Sequence, residues 1–459
     1  MFKRIFVANR GEVACRIIRA IHKLGAQAVL PYSVVDKDAA YLKTADEAIC
    51  IGDAPVHLSY LNQDAILQAA LQTDCQALHP GFGFLSENAF FANRCNQQKL
   101  KFIGPRAKNI RLMGDKSLAR TTMERINLPG LPGSSGIISS IKDAEICAKQ
   151  IGYPLLLKAS AGGGGKGIRL VENKNQLKLN FISASNEADK SFGNNKLYIE
   201  KYINFARHIE FQILADMYGN IIHLGERECS IQRNHQKLLE EAPAFGFSEL
   251  KRQKIGLKIC KALKQIGYEG AGTVEFLLDK TGKLYFMEMN TRLQVEHSVT
   301  ELVTDFDIVS WQIRIASGEK LKIKQREILI KGHAIECRIN AEDPTNNFKP
   351  SPGTITLYNL PEHSIYGPLR LDTHIVAGNK ITSFYDSMIA KLTAFGKDRT
   401  EAIKIMNAAL KKMKIKGIKT TKTLQQNIIN NKKFIHGNYN CSFLQENANI
   451  IDFSGVNLG

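Results

Sequence analysis

The chain has 459 residues, 44% hydrophobic and 23% charged, an ordinary globular composition whose length suggests about three domains at roughly 100–200 residues each. Its formal charge of +18 favours acidic partners such as nucleotides and phosphates, but the lysines are scattered, without a basic tail or zinc-finger spacing, so nucleic acid is not an expected partner. Nine cysteines without a CxxC pair argue against a disulfide scaffold and for reduced thiols in a cytoplasmic protein, and no run approaches the ~20 apolar residues of a membrane span.

The apolar run in the opening MFKRIFVANRGE stops before Asn9, short of a secretory signal core. Residues 5–8 read as a short buried strand, 13–24 carry helical spacing of apolar residues, and 28–30 form a second strand. This βαβ opening implies a parallel α/β sheet. Only Gly11 follows the first strand, where a dinucleotide site needs GxGxxG. The loop HPGFGFLSEN, from His79 to Asn88, is turn-rich and leads into a helix-like stretch. Near Gly114 the character changes: 117–125 reads as a helix and 128–136 as a connector.

Residues 137–203 read as an α+β unit with strands at 155–159, 168–171 and 196–200. KASAGGGGKG runs from Lys158 to Gly167 between the first two strands. Its four consecutive glycines leave backbone N–H groups open to an anion. Gly167 follows Lys166 where a P-loop has Ser or Thr, so a hairpin lid over phosphates fits better than a strand-to-helix cradle. By itself the run is equally a surface turn.

Residues 207–290 read as dominated by strands, ending in a hairpin around 279–283. Within them His208 alone reads as structural. ERECSIQRNHQK, 226–237, is crowded with donors and acceptors and reads as either a site or an exposed hairpin. Glu275 in GTVEFLL and Glu288 in LYFMEMN interrupt apolar strands, which is costly unless the charge is compensated. Alternation puts Glu288 and Asn290 on one face, and the hairpin can bring Glu275 beside them. Two carboxylates and an amide oxygen suit Mg2+ held together with phosphates, although either acid alone could face solvent. NTRLQVEH follows. Arg292 can bind a small planar anion bidentately and Glu296 can take a proton from it; the alternative is a surface salt-bridge strip. Residues 332–395 are strand-rich, and two helical stretches and a polar tail follow. Ile403, Met406, Leu410 and Met413 recur at helical spacing, predicting one amphipathic helix over 401–415.

Taken in order, IFVANRGEVACRI, HPGFGFLSEN, FIGP, RLMGDK, KASAGGGGKG, EKYI, RHIEFQILAD, ERECSIQRNHQK, EEAPA, GAGTVEFL, EMNTRLQVEHSVTE, GHAIECRINAEDP, SPG and YDSMIAKL resemble the biotin carboxylase family, from Ile5 to about His436. The resemblance implies an α/β and α+β protein in three parts. These are an N-terminal α/β domain (1–113), an ATP-grasp core (114–330) with a mobile lid at about 131–203, and a β-rich C-terminal domain (331–445), with a tail at 446–459. The implied reaction is a ligase's: ATP and bicarbonate form carboxyphosphate, and the carboxyl group passes to biotin on a carrier.

By similarity, Lys116, Lys158, Gly164 and Gly165 hold the ATP phosphates, and Glu200, Lys201, Tyr202, Ile203, His208, Gln232 and His235 line the adenosine. Glu275, Glu288 and Asn290 bind Mg2+ or Mn2+. Lys237, Arg292, Gln294 and Val295 hold bicarbonate, with Arg338 close by. Glu296 is its base, and Arg338 stabilises the biotin enolate. The implied partners are a second copy of the chain, a biotin carboxyl carrier protein or biotinylated subunit, and a carboxyltransferase of the acetyl-CoA or pyruvate carboxylase type. The 45 residues after Lys414 are fewer than the roughly 70–80 of a carrier domain, so the carrier is expected as a separate chain. Ala161, Lys166, Phe245 and Ser298 depart from residues common in the family, and none of the expected ligands is among them. The competing readings are another ATP-grasp carboxylate-activating ligase and a catalytically silent nucleotide-binding subunit; the combination of Arg292, Glu296 and Arg338 disfavours both.

Overall fold

A computed structural model describes residues 1–125, 127–134, 136–160, 168–361 and 368–450; the side chains of Lys116, Ser117, Ser191 and Phe192 also lie outside the description. The expected phosphate-binding residues Gly164 and Gly165, and the side chain of Lys116, therefore fall outside it.

The first unit alternates strand and helix: β1 (Arg4–Val7), α1 (Gly11–Lys23), β2 (Gln27–Tyr32), β3 (Glu47–Cys50), α2 (Gln63–Gln72), β4 (Ala77–His79), α3 (Ala89–Gln97) and β5 (Lys101–Phe102). The strands form one parallel sheet in the order β3-β2-β1-β4-β5. Ile5, Phe6 and Val7 are fully buried, as a continuous apolar run in a sheet covered on both faces requires. Asn62 and Asn88 cap α2 and α3 through their side-chain oxygens. The chain leaves β1 for one edge and continues from β4 toward the other. The loops after these two adjacent strands thus meet at a topological switch point, where open α/β sheets bind ligands. Asn9 Nδ2 ties them, donating to the carbonyls of Pro80 (2.7 Å) and Phe82 (2.8 Å).

Helices α4 (Ala107–Gly114) and α5 (Lys116–Glu124) lead to a small unit of α6 (Ile141–Ile151), β6 (Leu155–Ala159), β7 (Ile168–Val171), α7 (Lys174–Phe192) and β8 (Leu197–Lys201). Its antiparallel sheet runs β7-β6-β8, with Leu155, Leu157, Leu197 and Ile199 inward. The pairing of Lys158 with Ile168 makes β6 and β7 a hairpin, as the sequence suggested.

The rest is built on β9 (Arg207–Ala215), β10 (Ile221–Arg233), β11 (Gln236–Ala242), α8 (Glu249–Gln265), β12 (Gly270–Leu278), β13 (Leu284–Asn290), α9 (His297–Thr304), α10 (Ile308–Ala316) and β14 (His333–Asn340). An eight-stranded antiparallel sheet runs β13-β12-β9-β10-β11-β14, then strands Met388–Gly396 and Leu369–Thr373. It crosses residue 330 without a break, because β11 pairs with β14 (Leu239 opposite Cys337). The core and the C-terminal region therefore share one sheet.

Residues 207–290 are dominated by strands, as expected, and also contain α8, whose Ser248 cap and inward Ile259 and Leu263 make a helix that covers the β9–β10 face. Two local expectations are corrected. The predicted 401–415 helix is Arg399–Lys412, α11 here. It ends because Met413 turns extended to bury its side chain, and Lys414–Lys416 then pairs with Leu357–Asn359 as a strand. Beyond α11 the described residues hold three further short α-helices, where the sequence suggested one. Among the described residues no helix is long and apolar enough to cross a membrane.

Candidate active site

A cavity of about 850 Å3 opens where the β1 and β4 loops, the small β6–β8 unit and the large sheet meet. Strand register builds its floor. Arg227 of β10 stands opposite Glu210 of β9, Glu210 opposite Glu275 of β12, and Glu275 opposite Glu288 of β13. Directly opposed residues share a face, so three acids and an arginine form one row across four strands. At the β10–β11 turn, Asn234 and His235 both have positive φ (49° and 64°). A two-residue hairpin loop requires this, and it sets His235 and Lys237 against the cavity.

Lys237 is the hub. Its Nζ donates to Glu210 (2.5 Å), Glu275 (2.9 Å) and Glu296 (2.7 Å). Burial opposes its charge, but the three carboxylates outweigh burial and raise its pKa well above the usual lysine value. The effect is reciprocal: although burial disfavours their anions, Lys237 holds Glu275 and Glu296 below the carboxylate range. Arg227, fully buried, secures the other oxygen of Glu210 at 2.6 Å and also reaches Gln212 and Thr300. His208 lies 3.1 Å from Glu275, in an ion pair whose angle is not that of a hydrogen bond. Burial opposes its protonation, yet Glu275 and Glu210 raise its pKa to about 9. Its Nδ1 is 2.9 Å from Gln232 Nε2.

On the far side of Glu296, Arg338 Nη2 donates to Oε2 at 2.8 Å, while Arg338 Nε donates to Glu240 at 2.6 Å. Burial raises Glu240 to about 8; Arg338 opposes that rise, and Glu336 and Glu296 add to it. Arg292 points into the cavity from the loop after β13. Its Nε donates to Glu87 (2.7 Å), Nη1 to Gln294 (2.8 Å) and Nη2 to Asn290 (2.9 Å). Gln294 and Asn290 each donate to Glu275 in turn. Two cations thus face a buried carboxylate around a space able to take a small anion.

The structure brings Lys158, His208, Gln232, His235, Lys237, Glu275, Glu288, Asn290, Arg292, Gln294, Val295 and Arg338 to one cavity, with Glu296 bonded to two of them. Lys158 donates to Glu200 at 2.5 Å. Lys201, Tyr202 and Ile203 stand at the end of β8, outside the lining formed by the described residues. Lys201 Nζ donates to the Tyr153 carbonyl (2.9 Å), and its N–H to Pro132.

The acids fit a hard dication. Glu275 and Glu288 leave opposed positions on one face, with the Asn290 amide next along β13, and oxygen donors beside a phosphate-sized space suit Mg2+ or Mn2+. A tighter set, His208, Glu210 and Glu275, is already neutralised by Lys237 and Arg227.

Sequence reasoning missed Glu210, Arg227, Glu240 and Glu87. The signal was present for the first two, since a buried acid and arginine inside apolar strands demand partners. Their partners lie on other strands, however, and become visible only with the register. Glu87 comes from the β4 loop, 205 residues from Arg292 in sequence.

Residues 1–110 match the family profile described as biotin carboxylase, N-terminal domain, and 336–446 match biotin carboxylase C-terminal domain. Residues 115–324 match carbamoyl-phosphate synthase L chain, ATP binding domain. The chain is 50% identical over 446 residues to a biotin carboxylase of Nostoc sp., covering 97% of this chain and 99% of that one. It is 49% identical to the 2-oxoglutarate carboxylase small subunit of Hydrogenobacter thermophilus, over 99% of this chain and 95% of that one. The crystal structure of the biotin carboxylase domain dimer of the Hydrogenobacter thermophilus 2-oxoglutarate carboxylase, in complex with MgADP, ADP and bicarbonate, superposes with a TM-score of 0.94 at 49% identity, covering 99% of each chain. A biotin carboxylase–β,γ-ATP complex from Campylobacter jejuni gives 0.92 at 48% identity, over 97% of this chain and 99% of that one.

Proposed function

The chain belongs to the biotin carboxylase family, and from that premise we propose that it uses ATP and bicarbonate to carboxylate biotin borne on a carrier. The observation that carries this reading is the arrangement Arg292, Lys237, Glu296, Arg338: a small-anion space flanked by two cations, a buried carboxylate, and a second guanidinium behind it.

Bicarbonate is a poor electrophile, so it must first be activated as carboxyphosphate. Arg292 and Lys237 bind it, with Gln294 and Val295 alongside, and Glu296 accepts its proton. Glu296 is a weak base while Lys237 and Arg338 both donate to it. When Lys237 turns toward bicarbonate, that compensation is shared and the affinity of Glu296 for a proton rises. The oxygen of bicarbonate then attacks the γ-phosphorus, and ADP leaves. Lys116, Lys158 and the backbone of Gly164 and Gly165 take the phosphate charge. Glu200, Lys201, Tyr202, Ile203, His208, Gln232 and His235 serve the adenosine. Mg2+ or Mn2+, held by Glu275, Glu288 and Asn290, supplies charge compensation for the phosphates. Carboxyphosphate yields CO2 and phosphate, the phosphate takes the ureido proton of biotin, and Arg338 offsets the charge of the enolate. Closure of the 131–203 lid keeps water from the labile intermediate.

The reaction is a ligase's, and the protein works as a cytoplasmic dimer with a biotin carrier and a carboxyltransferase. Bicarbonate-dependent ATP hydrolysis, measured with and without free biotin, tests the reading. We expect hydrolysis to require bicarbonate and biotin to accelerate it; hydrolysis indifferent to both would refute it.

A further inference from the structure

We propose that Lys391 is a positioning residue for bicarbonate: through the Val295 carbonyl it fixes the loop that carries Arg292, Gln294 and Glu296. The inference rests on the bicarbonate reading above and goes beyond it, because Lys391 is not among the residues facing the cavity. It sits in the strand Met388–Gly396 with no exposed surface. An ammonium there is expensive, and an aliphatic side chain like those of neighbouring Ile389 and Leu392 would pack at lower cost.

Two contacts account for it. Nζ donates to the Val295 carbonyl at 2.7 Å, and it lies 3.2 Å from Oε1 of Glu12 in the first turn of α1. Burial opposes the charge, but Glu12, Glu336 and Asp372 keep the group protonated, so Val295 receives a full ammonium donor. The other end of the loop is fixed from the same N-terminal unit. Glu87 accepts from the Thr291 N–H at 2.9 Å and from Arg292 at 2.7 Å. The loop is therefore gripped at 291–292 and at 295, and the peptide that follows Val295 leads directly into Glu296. Without the second grip that peptide can rotate, displacing the Val295 carbonyl and the Glu296 N–H and carrying the Glu296 side chain out of register with Arg292; misplacement on this scale is costly to reaction.

A role as a tie between domains and nothing more predicts a different outcome, and paired variants separate the two. Lys391→Met leaves Glu12 buried without its cation and is expected to unfold at lower temperature. Glu12→Gln/Lys391→Met removes that charge as well and is expected to recover much of the loss. In the folded double variant we expect the KM for bicarbonate to rise about tenfold, as for loss of one charge-assisted hydrogen bond, while the KM for ATP stays within about twofold of the parent. A double variant whose KM for bicarbonate stays within about twofold of the parent overturns the proposal. A parent whose ATP hydrolysis ignores bicarbonate overturns the functional reading itself, and the proposal with it.

Discussion

Replacing Lys237 by methionine keeps most of the volume and removes the one cation shared by Glu210, Glu275 and Glu296, which it contacts at 2.5–2.9 Å. Arg227 still compensates Glu210, and Arg338 still compensates Glu296. Glu275 keeps the neutral amide donors of Asn290 and Gln294 and, for charge, His208 at 3.1 Å, so one buried carboxylate is left poorly compensated. Breaking a buried pair by removing one partner costs about 3–5 kcal/mol, and we expect a loss of that size near pH 8. The sign of its pH dependence follows from the shifts. In the parent, Glu275 and Glu296 are held below the ordinary range, so their stabilisation is present above the unfolded carboxylate value and is lost as pH falls through the folded one. In the variant, burial without Lys237 raises the folded value above the unfolded one, and the penalty fades as acid neutralises the group. The parent–variant gap should therefore narrow from pH 8 toward pH 5. Urea unfolding followed by far-UV circular dichroism at several pH values measures it. Adding Glu210→Gln, which removes one acid, should recover part of the loss. A penalty below about 1 kcal/mol, or one independent of pH, would show that the three carboxylates do not depend on this ammonium.

Glu288→Gln is nearly isosteric and should leave the unfolding midpoint close to the parent's while metal-dependent ATP turnover falls about 100-fold or more; unchanged turnover at limiting Mg2+ removes Glu288 from the metal site. Arg338→Gln should retain slow bicarbonate-dependent ATP hydrolysis and lose biotin carboxylation, so equal loss of both activities would contradict the division of labour between Glu296 and Arg338. His208→Gln should forfeit stability that the parent has in full below pH 6.5, the ordinary histidine value, and loses as pH rises through about 9. A parent–variant difference that grows with pH across this window would be the wrong sign.

Much of the molecule was legible in the amino-acid sequence. The βαβ opening, the hairpin carrying the glycine run, and the Glu275–Glu288 pairing across the β12–β13 hairpin are all set by short-range periodicity and turn residues. The structure has the first and the last in those places, and it pairs the two strands that border the glycine run. The failures were equally physical. Met413 fits a helical stripe as well as it fits an extended segment burying the same side chain, and only the core it enters decides between them. The polar run 226–237 reads as either a site or an exposed hairpin until β10 is seen to pair with β9 and β11. Then Arg227, Glu228 and Ser230 prove to be among the most buried polar residues of the chain.

The sequence by itself determined the order of elements, the family, and which residue types could perform the chemistry. The tertiary structure alone decided that Glu210 stands beside Glu275, 65 residues away, that Lys237 is shared among three acids, and that Glu87 and Lys391 grip the two ends of one loop. Hydrophobic alternation tells which side chains of a strand turn inward, but it is the same for every pairing that keeps the apolar face buried. Which charges meet depends on the register between strands distant in sequence, and that is chosen by the packing of the whole sheet.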